Sequence, residues 1–250
     1  MHIHILGICG TFMGGVAQLA VDAGHKVTGC DANVYPPMSD QLRSAGIELI
    51  EGFDTAQLGL NPDVFVIGNA ISRGNPLLEA ILDKGLPYVS GPQWLAENVL
   101  QGRWVLGVAG THGKTTTTAM LSQVLIGSGF DPSAIIGGKL PYIGGNSYVG
   151  QSDIIVCEAC EYVDTFLQLT PAISIILNID ADHLDYFKNL DNIKKSFNKF
   201  AKQTTGLLVI NGDDQNTLDA VNDVDIEKIT YGFGENCDYR AENISADKGV

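Results

Sequence analysis

No run of about 18 apolar residues occurs in the 250-residue chain, so no membrane-spanning helix is expected. Basic residues are scarce: 15 Lys plus Arg stand against 29 Asp plus Glu, a net charge of −14. That balance disfavours a nucleic-acid partner, which is met by a basic face, and an anionic membrane surface. It leaves phosphate ligands open, because backbone N–H groups, one Lys and a metal ion can hold them. The first residues, MHIHILGICGTF, lack the charged segment and small-residue cleavage site of a secretory leader. Cysteine is sparse, irregularly spaced and odd in number, at 9, 30, 157, 160 and 237. A reduced, cytoplasmic protein has that pattern.

What is present is alternation of apolar runs and helical periods. HIHILGI (2–8), HKVTGCD (25–31), GIELI (46–50), DVFVIGNA (63–70) and LPYVS (86–90) read as strands. Between them, 12–23, 39–45 and 75–85 read as helices, and 92–100 as a further one. The pattern restarts at RWVLGVAG (103–110), with a helix over 114–128 and strands at 152–159, 172–179 and 205–213. A helix fits 191–202, and the end, TYGFGENCDYRAENISADKGV, looks like a strand followed by a linker. Near-continuous apolar strands alternating with helices predict an α/β protein with mostly parallel sheets covered on both faces. The restart predicts two domains, 1–101 and 102–250.

GVAGTHGKTTTTAM (107–120) carries the clearest chemistry. A strand, a tight glycine turn and a helix N-terminus cradle phosphate, the Lys neutralises it, and the next hydroxyl holds Mg²⁺. The spacing here is G-x-x-G-K-T, shorter than the common G-x-x-x-x-G-K-[ST], because the position five before Gly113 is Val108. Two polar clusters follow other strands. CEACEYVD places Glu158 and Glu161 at a strand's carboxyl end, where α/β sheets bind ligands. NIDADHLDYF places Asn178, Asp180, Asp182, His183 and Asp185 at another. A carboxylate of CEACEYVD can complete an Mg²⁺ site with Thr115, and a His among the acids of NIDADHLDYF could contact a metal or a phosphate. Cys157 and Cys160 form a single C-x-x-C that could be drawn with His112 and His183 as a zinc site, but no second C-x-x-C supports it.

The first glycine turn, LGICGTFMGG (6–15), is not the G-x-G-x-x-G dinucleotide fingerprint, since residue 9 is Cys. That argues against a nicotinamide oxidoreductase. Asp31 nevertheless ends the second strand, where a ribose-binding acid lies, and a diphosphate can rest on the helix N-terminus.

GICGTFMGG, SGPQWLAE, GVAGTHGKTTT, EACEYVD and NIDADHLDYF together resemble the Mur ligase family, the ATP-dependent amide-forming enzymes of bacterial peptidoglycan metabolism. The resemblance covers essentially the whole chain. Up to residue 138, GNAISRGNP and DANVYPPMS are similar to the group that joins UDP-N-acetylmuramate to L-alanyl-γ-D-glutamyl-meso-diaminopimelate in recycling. From 139, LPYIGGNSYVG, EACEYVDTFLQLTP and NIDADHLDYFKNLDNIKKSF look more like the group that adds L-alanine. A change of likeness at IIGG (135–138) is what a chimera or a divergent relative would carry.

The resemblance implies a Rossmann-like UDP-sugar-binding domain followed by a P-loop NTPase-like ATP-binding domain. A third domain, which brings the amine, would be missing, and turnover would be slight or nil. It implies ATP and Mg²⁺ as cofactors and UDP-N-acetylmuramate with an amino acid or peptide as substrates. Lys114, Glu158 and His183 would be catalytic. Gly110, Thr111, His112, Gly113, Lys114, Thr115 and Thr116 would hold ATP, supported by Asn178 and Asp182. Thr115, Glu158 and His183 would be the metal ligands. Gly10, Thr11, Phe12 and Met13 would cradle the UDP diphosphate, with Asp31, Asn69, Ala70 and Asn75 touching the nucleotide sugar. The competing reading is a nucleotide or UDP-sugar sensor without chemistry, which would need fewer of these groups.

Overall fold

A computed structural model of the chain describes residues 1–140 and 145–245. Part of LPYIGGNSYVG (141–144) and the end of the C-terminal tail (246–250) lie outside the described residues. By packing, the chain divides into two compact units, residues 1–103 with 118–156, and residues 104–117 with 157–250.

The first unit is built on a parallel sheet. Its strands are β1 (His2–Leu6), β2 (Lys26–Asp31), β3 (Glu48–Glu51), β4 (Val64–Ile67) and β5 (Tyr88–Ser90), in the order β3-β2-β1-β4-β5. The apolar runs predicted for strands are these strands, with ends that differ by up to three residues. Helices α1 (Thr11–Asp22), α2 (Met38–Ser44), α3 (Pro76–Asp83) and α4 (Gly91–Asn98) connect them. Caps explain where α3 and α4 start. Asn75 accepts from the N–H groups of Leu77 and Leu78, and Ser90 accepts from that of Gln93, each followed within two residues by a proline. Leu6, Cys30, Phe65, Leu77, Leu78 and Ile81 form one buried cluster between sheet and α3.

β1 also buries a histidine. Gln57 donates its Nε2–H to Gly52 O, so its Oε1 faces His4 Nε2 at 3.1 Å. Nε2 therefore carries the proton, and His4 Nδ1 accepts from the Thr28 hydroxyl at 2.8 Å. Thr28 Oγ1 in turn lies 3.0 Å from His2 Nε2. Burial pushes the His4 pKa down from 6.5 to about 4, outweighing the hydrogen bond to Gln57.

The second sheet has eight strands. They are β6 (Trp104–Ala109), β7 (Ser133–Leu140), β8 (Gly145–Tyr148), β9 (Ile154–Glu158), β10 (Ile173–Ile176), β11 (Leu207–Asn211), β12 (Glu227–Gly232) and β13 (Tyr239–Arg240). Their order is β13-β12-β11-β10-β6-β9-β7-β8. β10 pairs in parallel with β6 and β11, and β12 with β11 and β13, whereas β7 and β8 form an antiparallel hairpin. The helices are α5 (Lys114–Gly127), α6 (Leu184–Phe187), α7 (Leu190–Gln203) and α8 (Gln215–Ala220). α7 buries Ile193, Ser196, Phe197, Phe200 and Ala201, a stripe at helical spacing. Phe200 stacks on Phe166 at 4.7 Å, and Phe197 meets the same ring edge-on at 5.2 Å. Those contacts fix the 3₁₀ turn of residues 162–168 against α7. No helix among the described residues is long and apolar enough to cross a membrane.

Candidate nucleotide and nucleotide-sugar sites

In the second unit, β6 and β10 run in parallel and in register, with Ala109 opposite Ile176, so residues 110 and 177 emerge at the same end. Gly110 has φ 146 and Gly113 has φ 84, conformations that glycine adopts without a Cβ penalty. A Cβ on Gly110 would also meet Leu177 Cβ at 3.0 Å and Asn178 N at 3.3 Å. The turn thus needs glycine for backbone shape and for room.

The turn is clasped from β10. Thr111 N–H donates to Asn178 O at 3.0 Å. His112 N–H donates to Asn178 Oδ1 at 2.8 Å, and Asn178 Nδ2 donates back to His112 O at 3.0 Å. Asp180 N–H donates to Thr111 Oγ1 at 2.9 Å. This revises one expectation. The N–H groups of Thr111 and His112 hold the turn to β10 and do not face an anion. Helix geometry leaves the N–H groups in the first turn of α5, ahead of Thr117, without an intrahelical acceptor. Thr116 sits exposed on that turn.

Lys114 folds back over its own loop. Its Nζ donates to Gly110 O at 2.6 Å and Thr111 O at 3.2 Å, and pairs with Glu161 Oε2 at 2.8 Å and Oε1 at 3.1 Å. The Glu161 side chain is 3 % exposed and that of Lys114 14 %. Oε2 makes the ion pair without a well-angled hydrogen bond. Beside them, Thr115 Oγ1 donates to Glu158 Oε1 at 2.9 Å.

Among the described residues no three His, Cys, Asp or Glu side chains gather to hold a metal by themselves. Mg²⁺ does not require that: it takes one or two protein oxygens and fills its octahedron with phosphate oxygens and water. The hydroxyl and carboxylate of Thr115 and Glu158 are such a pair of hard oxygens, so these residues fit it. His183 Nε2 lies 4.0 Å from Glu161 Oε1, and its ring is 4.8 Å from that of Tyr162. Asp182 is exposed, and its Oδ1 accepts the His183 N–H at 2.7 Å.

Two loops carry these groups, and both hold non-glycine residues in the left-handed region: Val163 (φ 54), Asp164 (φ 56) and His183 (φ 50). They are fastened by side chains. Tyr186 Oη donates to Asp164 Oδ2 at 2.9 Å, and the Ser196 hydroxyl donates to Asp164 Oδ1. The Tyr186–Asp164 hydrogen bond raises the Tyr186 pKa above its ordinary value. Asp164 had no signal in the sequence beyond lying in EYVD, because its partners are 22 and 32 residues away. Glu161 stood in the predicted cluster, but its pairing with Lys114 is tertiary information.

The C-x-x-C does not converge. Cys157 is fully buried on β9, and burial pushes its thiol up to about 12, while Cys160 is exposed beyond the strand end.

The first unit holds a separate cleft of about 780 Å³ at the carboxyl ends of β1, β2 and β4. Gly10, Thr11, Asp31, Ala70 and Asn75 line it, as do Tyr35 and Arg73, which the sequence reading left out. Asp31 Oδ2 accepts the Cys9 N–H at 2.9 Å and so ties the first turn to β2. Asn75 uses its side-chain oxygen to cap α3. Phe12, Met13 and Asn69 are not among the lining residues. Met13 is a core side chain whose sulfur packs on Gly91, so any part it has in a diphosphate cradle is through its backbone.

Two family models match the chain: "Mur ligase family, catalytic domain" over residues 2–103 and "Mur ligase middle domain" over residues 108–249. The chain belongs to the Mur ligase family. It is 50 % identical over 213 residues to the UDP-N-acetylmuramate–L-alanyl-γ-D-glutamyl-meso-2,6-diaminoheptandioate ligase of Escherichia coli K12, covering 82 % of this chain and 47 % of that protein. It is 38 % identical over 248 residues to the UDP-N-acetylmuramate–L-alanine ligase of Caldanaerobacter subterraneus, covering 98 % of this chain and 54 % of that one. The crystal structure of the UDP-N-acetylmuramate:L-alanyl-γ-D-glutamyl-meso-diaminopimelate ligase from Neisseria meningitides matches with a TM-score of 0.86 at 45 % identity, covering 92 % of this chain and 78 % of that one. This Mur ligase chain therefore spans about half the length of the curated relatives it matches. The likeness to the tripeptide-adding group runs past residue 138, since 213 aligned residues outnumber 138, and the likeness to the L-alanine-adding group spans both parts.

Proposed function

We propose that this chain is the substrate-binding core of an ATP-dependent ligase that activates the lactyl carboxylate of UDP-N-acetylmuramate. The amine would be L-alanyl-γ-D-glutamyl-meso-diaminopimelate or L-alanine, the two acceptors named in its relatives. The observation that carries the reading is the assembly of Lys114, Thr115 and Glu158 at a glycine turn clasped by Asn178. A phosphate-binding turn needs all three functions, a cation, a hydroxyl and a carboxylate, at one helix start. We also infer a domain boundary near residue 102, supported by the restart of the strand pattern and by the ranges of the two family models.

In the proposed reaction a carboxylate oxygen attacks the γ-phosphorus of ATP, and the bond from that phosphorus to the ADP oxygen breaks. The amine then attacks the acyl carbon, phosphate leaves, and the amine gives up a proton. The chemistry asks the protein to hold two anions together and to stabilise charge on the transferring group. Lys114 would neutralise the outer phosphates, and the first-turn N–H groups of α5 would bind their oxygens. Thr115 and Glu158 would hold Mg²⁺, which supplies further charge neutralisation when bound. In the first unit the cleft bounded by Gly10, Asp31 and Ala70 would take the nucleotide sugar, with Thr11 at the α1 N-terminus. A binding module without chemistry is the second reading. The presence of Lys114, Thr115 and Glu158 together favours the ligase lineage, because a sensor needs fewer of them.

The test is titration of Lys114→Ala with a non-hydrolysable ATP analogue and Mg²⁺. The reading expects binding to be lost; unchanged affinity would remove the loop assignment.

A further inference from the structure

An ammonium group has three N–H donors. In this structure those of Lys114 are directed at Gly110 O, Thr111 O and the Glu161 carboxylate. No donor is left over for a phosphate oxygen, so a polyphosphate must displace one of the three. The two carbonyls belong to the turn itself, which Asn178 holds in place. Glu161 is different. Among the described residues its side chain has two partners, Lys114 and His183, and no backbone N–H holds it. Its Oε2 is buried and lacks a well-angled hydrogen bond. A carboxylate left on Lys114 would also stand against the incoming phosphate, and like charges at such distances repel strongly away from bulk water.

We propose that Glu161 is a counter-ion that phosphate must displace: it holds Lys114 in the turn of the empty chain and gives it up to the nucleotide, turning toward His183. This rests on reading residues 110–115 as a phosphate loop. It assigns the two acids of EACEYVD different work. Glu158, bonded to the Thr115 hydroxyl, stays with the loop, while Glu161 sets how tightly the empty loop competes with its ligand. The His183 ring, 4.0 Å from Glu161 Oε1, is the side chain already beside the released carboxylate. The exchange needs only a side-chain rotation. The clasp of Asp164 by Tyr186 and Ser196 keeps the backbone around Glu161 fixed while it happens.

The experiment is calorimetric titration of the 250-residue chain with the imido analogue of ATP in EDTA, so that no metal masks the carboxylate. Wild type, Glu161→Gln, Glu161→Asp and Lys114→Ala would be compared, each first checked for a cooperative melt. Glu161→Gln keeps an acceptor for Lys114 but removes the competing charge, and it should bind about fivefold tighter than wild type. Glu161→Asp, with its carboxylate drawn back, should fall between the two and serves if the Gln variant does not fold. A folded Glu161→Gln that binds equally or more weakly overturns the counter-ion role while leaving the phosphate loop intact. Absence of binding to wild type in EDTA and in Mg²⁺ alike would overturn the phosphate-loop reading, and this proposal with it.

Discussion

After β1 the turn Gly7–Gly10 leads into α1 with no side-chain cap, and the groups around it come mainly from backbone and from Asp31 on the neighbouring strand. After β6 the turn 110–113 leads into α5 through a mesh of side chains: Asn178 on one side, Lys114 across the top, Glu161 and Glu158 on the other. Both turns are strand–glycine–helix, and both lie at the carboxyl ends of parallel strands. The difference matches what the proposed function asks of each. A cleft that only binds can rely on shape and on helix N–H groups. A site that must move a phosphoryl group needs charges fixed before the substrate arrives.

The largest expected effect that would sharpen this contrast is at Lys114. Lys114→Ala should abolish binding of the ATP analogue. It should also lower the melting temperature, because it strands a Glu161 carboxylate that is 3 % exposed; breaking a buried pair from one side costs about 3 kcal/mol or more. Adding Glu161→Gln to it should restore much of the melting temperature and none of the binding. Recovery of binding in the double variant would break the comparison.

Next is a matched pair of glycine replacements. Gly110→Ala forces a Cβ into a φ of 146 and onto Leu177, and should weaken nucleotide binding at least tenfold as Asn178 loses its hold. Gly10→Ala has φ −64 and meets only Gly7 O at 3.4 Å, so thermal melting should change little. Equal damage from both would mean that the first turn is as rigidly specified as the second.

A third effect belongs to the first unit alone. His4 is neutral in the fold down to about pH 4, whereas in the unfolded chain it gains a proton near 6.5. The unfolded state then binds more protons between those values, so stability falls as the pH drops from 6.5 to 4 and levels off below. The loss from this group is about 3 kcal/mol. Urea titrations across that range should show His4→Asn with a flatter profile than wild type; an unchanged slope would mean other groups carry it. Smaller still, Glu158→Ala should blunt the Mg²⁺ dependence of nucleotide binding without changing the melt. Cys160→Ser should leave nucleotide affinity where it was, and loss of fold with loss of zinc would revive the metal reading of the C-x-x-C.

Much of the framework was legible because buried parallel strands are apolar throughout and α7 has an uninterrupted helical period. The hairpin β7–β8 was not, since glycines in SAIIGGKL and GNSY interrupt any strand pattern. Four-residue α6 is too short to show a period at all. In the site, the glycine turn, Lys114 and Glu158 could be found from spacing. The consumption of the Thr111 and His112 N–H groups by Asn178 could not, because it depends on β6 and β10 lying side by side in register. The same holds for Asp164, whose importance comes from Tyr186 and Ser196 arriving from other elements.

The most direct measurement is calorimetric titration of the 250-residue chain with UDP-N-acetylmuramate and, separately, with a non-hydrolysable ATP analogue plus Mg²⁺. Saturable binding of each, with Lys114→Ala removing only the nucleotide, is the result this account predicts. Absence of both would contradict it, because the two turns would then retain their shapes in a chain that has lost what those shapes are for.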